Sequence, residues 1–134
     1  MENQPVFVVE NPGNTDRIRT TAQIEYTRNI RHPMFTRMYK DLYAIYDEMV
    51  TKDDAQDIKL IAKLYSIGNS LKVFEGTYKA LLDPYLMARK NDFENEFRNA
   101  VQSNPDLNKK YGHIWDEIAV SRIEAAKDAG KNFA

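Results

Sequence analysis

The stretch that most constrains this chain is residues 6–31, VFVVENPGNTDRIRTTAQIEYTRNIR, where a short apolar run breaks at an Asn-Pro-Gly turn and a helical pattern takes over. Val6, Phe7, Val8 and Val9 are β-branched or aromatic and suit a buried strand. Nothing else in the 134 residues reads as a partner strand. A lone strand leaves its own N–H and C=O groups unpaired, so the segment predicts a sheet supplied from outside the chain. The chain is therefore expected to be a piece of something larger. Asn11, Gly13, Asn14 and Asp16 suit the tight turn itself, and Arg17 is placed to pair with a carboxylate across the junction.

Beyond the turn the periodicity is helical. Thr20 or Thr21 can cap a first helix that reaches about Arg31, with Ile24 and Tyr26 as apolar contacts and His32-Pro33 as the stop. In the second helix Met34, Met38, Leu42, Ile45 and Met49 fall on one face, broadened by Phe35, Tyr39 and Tyr46. Turn and capping residues at Thr51, Lys52, Asp53 and Asp54 precede a third helix. There Ile58, Ile61, Leu64, Tyr65, Leu71, Phe74, Tyr78 and Leu81 keep helical spacing across Gly68 and Gly76, glycines that fit close packing or a bend. Asp83-Pro84 reads as a kink or a fresh start. The next helix is expected to turn Leu86, Phe93, Phe97 and Val101 inward and Lys90, Glu94 and Arg98 outward. After a loop over residues 103–106, Tyr111, Ile114, Trp115 and Ile118 open a last helix that becomes Ala-rich and polar, weakly packed beyond Arg122. The expected fold is all-α: an antiparallel bundle of four to five helices preceded by one short β-like strand, with residues 1–19 as the junction and 20–134 as the helical domain.

Composition narrows the function. Nineteen basic and twenty acidic residues leave a formal charge of −1, so the basic footprint of a nucleic-acid binder is missing. No apolar run approaches the ~20 residues of a membrane span, and the N-terminus lacks the pattern of a secretory signal. With no cysteine, thiolate chemistry is excluded. Asp53, Asp54 and Asp57, or Asp92, Glu94 and Glu96, lack the spacing of a calcium loop and read as solvated faces or caps. Lys109 and Lys110 make too short a run for a basic patch. His32 and His113 stand at predicted helix boundaries with no Ser, Thr or carboxylate at a spacing that signals a triad, and read as boundary or surface residues. No catalytic residue, metal site or cofactor is expected.

Asn11-Pro12-Gly13-Asn14-Thr15-Asp16-Arg17, followed by Thr20-Thr21-Ala22-Gln23-Ile24-Glu25-Tyr26, resembles a signature of the bacterial dipeptidyl aminopeptidases of serine peptidase family forty-six. These are chymotrypsin-like enzymes with a large helical insertion, and dipeptidyl peptidases seven and eleven are among them. The family pattern runs N-P-G-S/T-T-x-R, then T-x-A-Q-L-E-Y, and marks the exit from the β-barrel. Here Asn14 replaces a small hydroxyl residue and Ile24 a Leu. Weaker matches continue through Ile67-Gly68-Asn69 and Lys72-Val73-Phe74-Glu75-Gly76, so that the resemblance covers residues 6 to about 118.

The resemblance implies a helical cap over the cleft of a periplasmic or cell-envelope enzyme that releases dipeptides from peptide N-termini. The catalytic Ser, His and Asp would lie in the β-barrel domain, outside this chain. It also implies that Asn69 hydrogen-bonds the free amino terminus of the peptide substrate, although the aromatic pair that commonly follows this Asn is here Ser70-Leu71. From the residues alone Asn69 reads first as a helix-bend or buried-network residue, and only the resemblance brings the binding role level with it. The rival reading is a free-standing helical protein-interaction module that binds through aromatic and methionine side chains, in which Val6, Phe7, Val8 and Val9 pair in a homodimer.

Overall fold

The computed structural model describes residues 18–52, 57–129 and 131. The predicted strand, the Asn-Pro-Gly turn with Arg17, and Asp53 and Asp54 lie outside these residues. Among the described residues the protein is all-α. Its helices are α1 (Thr21–Tyr26), α2 (His32–Thr51), α3 (Ile58–Leu81), α4 (Pro84–Gln102), α5 (Pro105–Tyr111) and α6 (Ile114–Asp128), with a π-helical stretch, Thr27–Arg31, between α1 and α2.

Thr20 opens the first rod. Its hydroxyl accepts from the Gln23 amide while the Gln23 side chain accepts from the Thr20 amide, a reciprocal capping box. The carboxylate of Glu94 on α4 accepts from the Thr21 amide, placing negative charge where the helix dipole favours it. The expected stop at His32-Pro33 does not occur. The helix runs on through the π stretch, where the His32 amide donates to the Thr27 carbonyl five residues back. In an α-helix Pro33 would lack a donor and its ring would press on the carbonyl of Asn29; widening the turn relieves that conflict.

From there α2 and α3 form an antiparallel hairpin. Phe35 and Tyr39 stack on Phe74, with ring centroids 5.1 and 5.2 Å away, and His32 meets the same ring edge-on at 5.5 Å. Lys40 bridges Glu75 at 2.8 Å. Farther along, the backbone of Gly68 approaches Tyr43 so closely that an added Cβ would stand 3.1 Å from the ring. From Phe35 against Phe74 to Tyr43 against Gly68 the partner moves back along α3 as the chain advances along α2, which fixes the direction. Aromatic pairs of this kind add about 0.5–1.5 kcal/mol each beyond their buried area. The packed face of α2 is thus the His32, Phe35, Tyr39 and Tyr43 stripe; Ile45 and Met49, expected inside, are 54% and 48% exposed. On α3, Leu64 and Ile67 are buried, whereas Ile58 and Tyr65 face solvent.

Asp83 caps α4 through the Tyr85 amide with Pro84 in the first turn, so Asp83-Pro84 is a fresh start. Asn104 caps α5 in the same manner, accepting from the Asp106 and Leu107 amides. The expected loop there is a cap between two helices. Val101 is buried as expected, but Phe93 and Phe97 are 55% and 51% exposed. The face expected to be solvated instead carries contacts between helices: Glu94 to α1, and Arg98 to Asp116 on α6 at 2.6 Å. Phe97 touches Trp115 edge-on, and Arg122 of α6 lies over Tyr26. The core is small. Ile24, Leu64, Ile67, Val101 and Ala129 are its buried apolar residues among those described.

Candidate functional site

Asn69 stands on the exposed side of α3, away from the α2 seam. Helical spacing aligns it with Tyr65 one turn before and Val73 one turn after, side chains 69% and 64% exposed. Ser66 and Lys72 flank the stripe and are exposed as well. The Asn69 amide makes no side-chain hydrogen bond with a described residue, so its oxygen and both N–H donors are available to a ligand. Being exposed, Asn69 is not part of a buried network, and α3 runs through Gly68 and Asn69 as one helix. Gly68 serves the close approach to Tyr43, while nothing lies within 4 Å of a Cβ built on Gly76.

The histidines occupy different settings. His113 is exposed, with Nε2 3.9 Å from Glu117. His32 stands at the boundary where the π stretch passes into α2, as expected, but not on the surface: it is 8% exposed, and its Nδ1 is buried with no hydrogen-bond partner. Burial, then the nearby Arg31 and Arg19 guanidiniums, hold its pKa below the ordinary 6.5. Neither histidine hydrogen-bonds a hydroxyl group among the described residues. No group of three His, Asp or Glu among them is placed to hold a metal ion.

Among the concavities around the start of the rod, two open towards α4. One, about 390 Å³, lies between the α1 end of the rod, α3 and α4, and carries Arg19, Arg31, His32 and Lys90 over a floor of Ile24, Phe74 and Leu81. The other, about 520 Å³, is an aromatic groove where Phe93, Phe97 and Trp115 meet Ile114 and Ile118. Asn69 lines neither. Sequence reasoning missed the basic cavity because its cations come from separate parts of the chain and no local spacing brings them together.

No helix of the described residues is long and apolar enough to cross a membrane. No curated protein and no solved structure matches the chain. The family model described as Peptidase S46 matches residues 1–132, and the chain belongs to that peptidase family.

Proposed function

We propose that this chain is the helical cap of a serine-type dipeptidyl aminopeptidase, closing over the cleft of a β-barrel catalytic domain and gating access to it. In this reading residues 1–19 lead in from the barrel and residues 20–134 form the lid. The barrel supplies Ser and His for acyl transfer. Asn69 supplies recognition: its amide oxygen accepts from the substrate's free ammonium group, which limits the enzyme to two residues from the peptide end. The enzyme would work in the periplasm or cell envelope. The observation that carries the reading is the exposure of Asn69 between Tyr65 and Val73 in a chain of this peptidase family. The apolar side chains left in solvent on α4 supply surface for the barrel to cover.

A hydrogen bond to a charged group contributes about 1.5–3 kcal/mol, so Asn69→Ala in the enzyme that carries this domain should lower kcat/KM for peptides by about 10- to 100-fold. N-acetylated peptides, lacking the ammonium, should be poor substrates for both forms. An unchanged kcat/KM in the variant would remove Asn69 from substrate binding. The purified 134-residue chain should release no dipeptides; robust release blocked by a serine-directed inhibitor would overturn the cap reading.

A further inference from the structure

We propose that Tyr43 is a positioning residue for Asn69, holding α3 at a fixed depth against α2 where the substrate-binding amide projects. The proposal rests on the reading of Asn69 as the partner of the substrate's ammonium group, and it assigns how that amide is aimed. A Cβ added to Gly68 would stand 3.1 Å from Cε2 and 3.6 Å from Cδ2 of Tyr43, so one edge of the ring bears on the α3 backbone itself. Glycine permits this approach, since a side chain there would hold the two helices apart. Gly68 adjoins Asn69 in the chain, and the Ile67 before it is 5% exposed. A helix advances about 100° per residue, so anchoring Ile67 in the core and Gly68 on Tyr43 carries Asn69 round to the open side. Nearer the start of α2 the seam is made by side chains on side chains: Phe35 and Tyr39 against Phe74, Lys40 against Glu75. Rotamers can adjust in such contacts, whereas a backbone held by a ring edge passes any change straight to the next residue. Ser70, on the other side of Asn69, donates its hydroxyl to the Ser66 carbonyl at 3.1 Å and does not compete for the amide. Two opposite changes should therefore misplace that amide: removing the ring lets α3 settle towards α2, and a Cβ at Gly68 pushes it away.

The test is steady-state kinetics of the intact peptidase that carries this domain, on dipeptidyl 4-nitroanilides with a free amino terminus. Tyr43→Ala should raise KM about tenfold and Gly68→Ala about threefold, each with kcat within about twofold, because binding is lost equally from ground and transition states. Tyr43→Phe, which restores the ring edge, should rescue KM. In an Asn69→Ala background Tyr43→Ala should cost nothing further, a coupling that a merely structural role would not produce. Tyr43 is 37% exposed, so its truncation opens no closed cavity; should circular dichroism show Tyr43→Ala unfolded, Gly68→Ala carries the same cycle with Asn69→Ala. An unchanged KM in both variants, or the same rise with and without Asn69, would overturn the positioning role while leaving Asn69 as a binding residue. Full activity in Asn69→Ala would instead overturn the reading of Asn69, and the role of Tyr43 with it.

Discussion

Gly68 and Gly76 occupy the same helix but predict opposite responses to a side chain. At Gly76 the space is open, so Gly76→Ala should stabilise the chain by about 1 kcal/mol through helix propensity alone. At Gly68 a new Cβ meets the Tyr43 ring, which must yield by a few tenths of an ångström. Gly68→Ala should therefore fall within about 0.5 kcal/mol of neutral, and Gly68→Leu should cost about 1–3 kcal/mol by overpacking. Urea denaturation separates the three. His32 gives a second prediction at this scale. Its pKa is 6.5 in the unfolded chain and lower in the folded one, so between the two values the unfolded chain binds more protons. The stability is complete above pH 6.5 and is lost as pH falls through that window; His32→Phe should flatten the slope, measured as denaturation midpoint against pH.

Among the elements, two helix starts were readable and the inward faces only in part. Thr20 with Gln23 and Asp83 with Pro84 are short-range signals that need no tertiary partner, and each opens a helix where its chemistry predicts, whereas Asn104-Pro105 reads as a loop although the same capping chemistry opens α5 there. The seven-residue α5 depends strongly on its cap, and Asn104→Ala should cost about 1 kcal/mol, visible as a lower urea midpoint. By contrast, the orientation of α4 follows from where Glu94 and Arg98 find Thr21 and Asp116, partners distant in sequence, and periodicity alone turned Phe93 and Phe97 inward. The Pro33 signal was misread for a related reason: a proline reads as a stop, and only the widened turn before it lets the helix continue.

In the whole molecule, the fold class was legible because helical periodicity persists through most of the chain. The peptidase family was legible because its signature is local and ordered. The basic cavity was not, since Arg19, Arg31 and Lys90 meet only after folding. The small core leaves Tyr85 70% exposed and Phe93 55% exposed on α4, enough apolar surface to seek company in solution. Sedimentation velocity should show concentration-dependent association of the isolated chain. Tyr85→Lys with Phe93→Glu should reduce it while leaving the thermal midpoint almost unchanged, because neither side chain is buried.

The widened turn at Thr27–Arg31 sets the azimuth of everything beyond it. One residue of a helix advances about 100° around its axis, so the surplus residue accommodated there swings α2 by roughly that angle against α1. A single rod can thereby aim one flank at α4 and α6 and another at α3, and the hairpin bearing Asn69 takes its bearing from this joint. Shortening the joint by one residue would steer that amide to a different compass point without altering any atom near it.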